Sequence, residues 1–294
     1  ESIKIGLLAP VTGDSSADGD SMTKGAQLAI EEINGAGGLL DGKKLELVIE
    51  NVENMDPGIY TTALTNFINN PDIRLMFAGL PSHNGFELDQ VAESKVPYLV
   101  GGSSTTFGPL IAQSPEKYPN IWSLVPDYEA YGTDFPRFLD EWEAQKLIEL
   151  PTKKAYVISS NNDYSNDVAA GLIENLKSRG WQIEGPDVVP FGTVNDWNTQ
   201  ISKIHDIKPD LVINTDYLPG NGATFIKQFR DNPTNALLFI QYGPSVPEFL
   251  ELTGDSSNGV LYNILSGSIL SPTYEPALAF EKKYKEKYNL EPAP

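Results

Sequence analysis

Short apolar runs alternate with amphipathic helical segments along this chain, and this alternation restricts the fold more than any other feature. Apolar residues recur at helical spacing between the runs, as Met22, Ala26 and Ile30 do on one face. Strands that alternate with helices predict an α/β fold in which helices cover both faces of parallel sheets. The runs predict seven buried parallel strands, at residues 3–9, 45–49, 73–78, 98–100, 155–159, 211–214 and 237–240.

The alternation occurs twice, which predicts two lobes that each contain a doubly wound parallel sheet. The second series begins near Lys153, and residues 101–126 before it are rich in Gly, Ser, Thr and Pro, as a crossing between lobes would be. A second crossing is expected at residues 253–262, after which the amphipathic segment 274–288 packs back on the first lobe. The predicted boundaries are residues 1–121 plus 255–294 for lobe 1 and residues 122–254 for lobe 2.

Charge and composition exclude several classes of protein. The chain has 40 acidic and 21 basic residues, a net charge of −19, so its surface repels nucleic acids and anionic membranes. It has no cysteine, which excludes disulfides, thiolate nucleophiles and Cys-ligated metals. No apolar run approaches the roughly 20 residues of a membrane-spanning helix. The first predicted strand begins at Ile3, as in a mature chain from which a signal peptide is absent.

Loops rich in glycine and hydroxyl residues follow two neighbouring predicted strands. Ser82 and His83 follow the third strand, and Ser103, Ser104 and Thr105 follow the fourth. Ligands of doubly wound sheets bind beyond the carboxyl ends of the strands, where helix N-termini carry partial positive charge. These loops therefore suit a carboxylate. The alternative is that the same hydroxyls cap the following helices, and the sequence leaves both roles open.

Several motifs together carry a resemblance to a known family. Residues 5–13 have the sequence IGLLAPVTG, residues 25–34 GAQLAIEEIN, and residues 42–47 GKKLEL. Asp163-Tyr164 and residues 284–288, YKEKY, fit the same pattern. Over its whole length the chain resembles the branched-chain amino acid type of periplasmic solute-binding protein, which has the type I binding fold. The resemblance is most specific up to Leu47 and looser beyond it.

The resemblance implies a receptor of two α/β lobes joined by a hinge, which closes around one solute. Such a receptor delivers an amino acid or related small carboxylate to the membrane permease of an ABC importer. The resemblance also implies a monomer without a cofactor, located in the periplasm or lipid-anchored outside the cell.

Site residues follow from the same resemblance, position by position. From the first lobe, Ser82 and the loop of Ser103, Ser104 and Thr105 would hold the ligand carboxylate. Asp18 would flank the ligand side chain, and His83 would lie at the rim of the cleft. From the second lobe, Tyr164, Asp216 and Tyr217 would close over the ligand. The complete implied set is Asp18, Ser82, His83, Ser103, Ser104, Thr105, Tyr164, Asp216, Tyr217 and Tyr242.

One departure from the family pattern concerns the ligand's ammonium group. Amino acid binders of this family place an acidic residue after the strand that corresponds to residues 237–240. Here the loop reads Gln241-Tyr242-Gly243-Pro244-Ser245 and contains no carboxylate. Either Asp216 or Asp18 substitutes for the missing acid, or the ligand has no ammonium group.

Catalytic motifs are missing from the sequence, which favours a binding protein over an enzyme. His83 and His205 are the two histidines, and no Gly-x-Ser-x-Gly elbow occurs for a serine nucleophile. Asp14, Asp18 and Asp20 lack the spacing of a calcium loop, so no metal site is predicted. The alternative function is a sensory or regulatory domain of the same fold that binds amides or aromatic carboxylates.

Overall fold

A computed structural model describes residues 2–53, 56–80, 85–102, 106–263 and 273–292. The chain divides into two compact units. The first comprises Glu1–Asp127 and Ser268–Ala293, and the second comprises Tyr128–Gly267. Each unit is built on its own five-stranded parallel sheet.

The first unit has the strand order β2-β1-β3-β4-β5. Its apolar core contains Leu8, Tyr60, Phe67, Met76 and Tyr98. The strands are β1 (Ile3–Ala9), β2 (Leu45–Asn51), β3 (Ile73–Ala78), β4 (Tyr98–Val100) and β5 (Ile121–Ser123). The helices are α1 (Ser16–Gly35), α2 (Pro57–Ile68), α3 (Leu88–Ser94), α4 (Phe107–Gln113) and, after the second unit, α10 (Glu275–Tyr288).

The second unit repeats this topology, with strand order β10-β9-β8-β6-β7. One apolar cluster covers each face of its sheet: Val157, Ile213 and Phe239 point to one cluster, and Ile158 and Val212 point to the other. The strands are β6 (Lys154–Ser160), β7 (Gln182–Val189), β8 (Leu211–Asn214), β9 (Leu237–Ile240) and β10 (Val260–Leu261). The helices are α5 (Tyr131–Ala144), α6 (Asp163–Ser178), α7 (Asn198–Ile207), α8 (Pro219–Asp231) and α9 (Pro247–Thr253).

The predicted α/β fold with two doubly wound parallel sheets is confirmed, and all seven predicted strands are present. The sequence did not predict the strands β5, β7 and β10, because these are not apolar runs. β5 and β10 contain three and two residues, and Trp122 of β5 is 61% exposed. β7 is partly exposed along most of its length and contains Gly185 and Pro186, which are rare in strand interiors.

The return from the second unit to the first lies later in the chain than the sequence indicated. β10 pairs with β9, so it completes the second sheet. Residues 255–263, which the sequence assigned to lobe 1, therefore belong to the second unit. α10 packs on α1 in the first unit, where the Tyr288 hydroxyl donates a hydrogen bond to the Lys24 carbonyl over 3.1 Å.

Candidate functional site

The strand order identifies where each unit can hold a ligand. The second strand of each unit lies on one side of the first strand, and the third strand lies on the other. The connections therefore leave the first strand in opposite directions, and a crevice opens at the carboxyl ends between the first and third strands. In the second unit this point lies between the ends of β6 and β8, which lead into α6 and α8.

Hydrogen bonds hold the start of α6 against both strand ends. The Asn162 side chain caps the helix by accepting from the Ser165 N–H over 2.9 Å. The Ser165 hydroxyl accepts from the Ser160 N–H at the end of β6, and its oxygen lies 2.9 Å from Thr215 Oγ1 just after β8. Ser165 and Thr215 are fully buried. This network sets the position of the neighbouring residue Tyr164.

Two glycines bring the start of α5 close to α6. A Cβ atom added to Gly132 would lie 2.3 Å from the Gly171 backbone, and one added to Gly171 would lie 2.3 Å from the Glu129 carbonyl oxygen. No residue with a side chain fits at this approach. The close packing places Tyr128 and Tyr131, on either side of Glu129 and Ala130, against Tyr164 in the first turn of α6.

Four tyrosines meet at this edge of the second sheet and form what we name the tyrosine cluster: Tyr128, Tyr131, Tyr164 and Tyr217. Tyr164 is at its centre, with ring centroids 4.8 Å from Tyr128, 5.6 Å from Tyr131 and 5.3 Å from Tyr217. All three contacts are edge-to-face, which is a favourable geometry for aromatic rings. Burial raises the pKa of the Tyr164 hydroxyl well above its ordinary value, so it keeps its proton at physiological pH.

Gln241 follows β9 and supplies an amide behind the tyrosine cluster. Its side chain is fully buried, and its Nε2 donates to the Tyr164 hydroxyl oxygen over 3.1 Å. Among the described residues its Oε1 has no hydrogen-bond partner. A buried oxygen without a donor costs about 1–3 kcal/mol, so such atoms are usually satisfied by water or a ligand.

Tyr242 forms a strained turn directly after Gln241. Its φ of 57° and ψ of −55° lie outside the regions that bulky residues favour. The Gly243 N–H donates to the Gln241 carbonyl over 2.6 Å, which closes the rare form of the γ-turn. Strain of this kind concentrates at binding sites and costs about 1–3 kcal/mol. The turn ends β9 and thereby fixes the position of Gln241.

Asp216 lies in the same region, but the structure commits its carboxylate to the loop. Its Oδ1 accepts from the Leu218 N–H over 3.0 Å, and its Oδ2 accepts from Asn221 Nδ2 over 2.7 Å. The residue is fully buried. Burial raises the pKa of this carboxyl to about 6, although both hydrogen bonds act in the opposite direction. Asp216 thus holds the loop that carries Tyr217.

The residues implied for the first unit lie mostly outside the described part of the chain. This applies to Ser82, His83 and the loop of Ser103, Ser104 and Thr105. Asp18 is described: it is buried in the first turn of α1, where the helix dipole favours a negative charge. The helix α1 follows β1, and β1 is one of the two strands that border the crevice of this unit.

The structure therefore brings together Tyr164 and Tyr217 from the predicted set, with Tyr242 directly after Gln241. The predicted set did not contain Gln241, Tyr128 or Tyr131. In the sequence, Gln241 was only the first residue of a loop that lacks the family's acid. Tyr128 lies just before α5 and Tyr131 is its first residue, and neither comes soon after a strand that the sequence predicted, so the strand ends did not point to them.

Another concavity lies at the opposite end of the strands of the second sheet, next to the residues that precede β6, β8 and β9. It has a volume of about 630 Å³, and His205, Lys208 and Asp210 contribute to its lining. Asp210 Oδ2 accepts from the Thr152 and Lys153 N–H groups over 2.8 Å each. Its carboxylate is thus part of the chain connections at this edge.

The described residues show neither a metal site nor a membrane-spanning helix. No three His, Cys, Asp or Glu residues in the described ranges are grouped so that they could hold a metal ion. None of the helices in those ranges is both long and apolar enough to span a membrane.

Comparison with known proteins identifies the family. The periplasmic binding protein family matches residues 2–294. The chain belongs to this family. Its members are solute-binding proteins that work outside the cytoplasm with ABC transporters, so the resemblance noted in the sequence is confirmed.

Individual relatives cover nearly the whole chain. The Leu/Ile/Val-binding protein BraC3 of Rhizobium johnstonii is 24% identical over 94% of this chain and 71% of its own length. A crystal structure from Silicibacter pomeroyi, described as a branched-chain amino acid ABC transporter, has a TM-score of 0.85 at 27% identity and covers 100% of this chain and 73% of that one. The leucine-binding protein LivK of Thermotoga maritima has a TM-score of 0.80 at 23% identity, with 99% and 77% coverage.

Proposed function

We propose that this protein is the receptor of an ABC importer and captures a small carboxylate with an apolar side chain, such as an amino acid or a related acid. The names of its relatives point to leucine, isoleucine and valine as ligands of those proteins. The observation that carries the proposal here is the tyrosine cluster at the crevice of the second sheet.

The tyrosine cluster suits the apolar part of such a ligand. Aromatic rings supply a large contact area at a low entropic cost, and their hydroxyls remain able to hydrogen-bond. In the first unit, Ser82 and the loop of Ser103, Ser104 and Thr105 would bind the carboxylate, as the family pattern implies. The proposed assignment includes Asp18 beside the ligand and places His83 at the rim.

The finer parts of the proposal concern assembly and location. The protein would act as a monomer that presents its ligand to the membrane permease. It would be periplasmic or held outside the cell by a lipid anchor. No enzymatic step is proposed, because binding and release are sufficient for a transport receptor.

Substitution Tyr164→Ala tests the site. Tyr164 contacts three other rings of the cluster, so its loss removes the centre of the apolar surface. We expect the Kd for the best carboxylate ligand to rise about five- to thirtyfold, which corresponds to about 1–2 kcal/mol. Titration calorimetry against small carboxylates, including apolar amino acids and their hydroxy analogues, measures this change.

Tyr274→Ala is the matched control, because Tyr274 is 56% exposed at the start of α10 in the first unit. It should bind with the wild-type Kd. Circular dichroism of both variants confirms that they are folded. An unchanged Kd in folded Tyr164→Ala would remove the tyrosine cluster from the site, and lack of binding by the wild type to every small carboxylate would refute the proposed function.

A further inference from the structure

Gln241 offers the proposed site an acceptor rather than a negative charge. Its Oε1 is buried and without a partner among the described residues, while its Nε2 is already used by the Tyr164 hydroxyl. An amide oxygen can only accept a hydrogen bond. The group that complements it is therefore a donor, and the local structure shows which kind of donor fits.

A charged donor at this position would need a counter-charge. Removing an ammonium group from water is costly unless a carboxylate pairs with it. Among the described residues, the fully buried carboxylate near this position is Asp216, and each of its oxygens already accepts one hydrogen bond, from Leu218 and from Asn221. A neutral hydroxyl can donate to Gln241 Oε1 without that cost, because no charge is desolvated.

We infer that Gln241 makes the site selective for small apolar or aromatic carboxylates that carry a neutral donor, such as 2-hydroxy acids, over the corresponding amino acids. This inference rests on the proposed function, since it names the ligand class of the same site. The strained turn at Tyr242 supports it, because that turn fixes the backbone from which the Gln241 amide projects.

Two pairs of ligands that differ in one substituent test the inference. The first is 2-hydroxy-4-methylpentanoate with leucine, and the second is 3-phenyllactate with phenylalanine. In each pair a hydroxyl replaces the ammonium group and nothing else changes. We expect the hydroxy acid of at least one pair to bind the wild-type protein about tenfold or more tightly than its amino acid partner, as measured by titration calorimetry at pH 7.

Gln241→Glu should reverse this preference. The carboxylate has nearly the same shape as the amide and can accept from the Tyr164 hydroxyl, to which the amide donates, but it adds the charge that an ammonium group requires. Amino acid affinity should rise by about tenfold or more while hydroxy acid affinity falls. Gln182→Glu is the matched control: this residue is exposed at the start of β7, so the ratio of the two affinities should stay at the wild-type value.

The outcomes separate the inference from the proposed function. Amino acids that bind the wild type as tightly as the hydroxy acids would overturn the inference alone. So would an affinity ratio that is the same in Gln241→Glu and the wild type. Leucine binding that Asp163→Asn abolishes would show that Asp163, the acid beside Tyr164, takes the ammonium group, and would overturn it too. Lack of binding by all four compounds to the folded wild type would contradict both the inference and the proposed ligand class.

Discussion

Two sets of polar side chains, one in each unit, lie in opposite surroundings. In the second unit, Asp216 and Asn221 lie buried in the loop and helix after β8 and are connected by hydrogen bonds. In the first unit, α1 and α10 are joined by ion pairs at the surface, Lys283 with Glu32 and Lys287 with Glu31. The buried pair is shielded from water, whereas the ion pairs of α1 and α10 are in contact with it.

This difference decides what each group contributes. A buried donor or acceptor that loses its partner cannot turn to water, so breaking such a network is expensive. The charges of an exposed ion pair are hydrated whether or not the pair forms, and salt screens the attraction between them. The polar network of the second unit therefore fixes the geometry of its ligand edge, whereas the ion pairs of the first unit add little to stability.

The strongest test of this contrast is Asn221→Ala. The Asn221 amide donates to Asp216 Oδ2 over 2.7 Å and to the Gly192 carbonyl over 2.8 Å, and accepts from the Val194 N–H over 2.8 Å. The substitution removes all three of these hydrogen bonds and leaves their partners without the Asn221 amide. We expect the free energy of unfolding to fall by about 3–5 kcal/mol in urea titrations.

Asn235→Ala is the matched control for that experiment, because Asn235 is exposed in the turn before β9. It should change the free energy of unfolding by less than about 0.5 kcal/mol. A loss below about 1 kcal/mol in Asn221→Ala would mean that water replaces the missing amide, and the buried network would then not differ from a surface one.

A smaller effect is expected from the pH dependence of stability through Asp216. Its pKa is about 6 in the folded chain, against about 3.9 for an unfolded aspartate. Between these values the folded state binds more protons than the unfolded state. The free energy of unfolding must therefore fall as the pH rises from about 4 to about 6, by up to about 3 kcal/mol.

Asp216→Asn removes this titration. Urea titrations from pH 4 to pH 7 should show the stability of the variant rising relative to wild type across that window. Any mispairing of the new amide with Asn221 adds an offset that does not vary with pH, so the slope is the informative quantity. Asp206→Asn, at an exposed position of α7, should give a difference that is flat with pH. A flat difference for Asp216→Asn would mean that its carboxylate is well solvated.

The sequence predicted the sheets better than the ligand edge, for a physical reason. A buried strand such as β8 needs an apolar run, and a run is visible in the sequence itself. Strand β7 is exposed or partly exposed over most of its length and has no such run, so the sequence did not predict it. Asp216 was predicted at the edge, but its role depends on Leu218 and Asn221, and that geometry is set by the loop and the first turn of α8.

Gln241 illustrates the same limit more sharply. The sequence showed a loop without the acid that the family places there, and left open which group replaces the acid. Its burial and its bond to Tyr164 depend on the packing of α6, 77 residues earlier in the chain. The family resemblance implied Tyr164 and Tyr217, and both lie shortly after the ends of β6 and β8, where position along the chain is enough to place a residue at the edge.

The smallest expected effect comes from the ion pairs of the first unit. Lys283→Ala should lower the free energy of unfolding by no more than about 0.5 kcal/mol at low salt. Because screening shortens the reach of exposed charges, the loss should vanish in 1 M NaCl, where the Debye length is about 3 Å. Lys282→Ala is the matched control, since Lys282 lies 3.9 Å from Glu286 of its own helix and is 76% exposed in its side chain. If Lys283→Ala instead cost as much as Asn221→Ala, and did so in high salt, then α10 would be held to α1 by a desolvated pair. The difference between the buried network of Asn221 and the ion pairs of α10 would then be one of degree only.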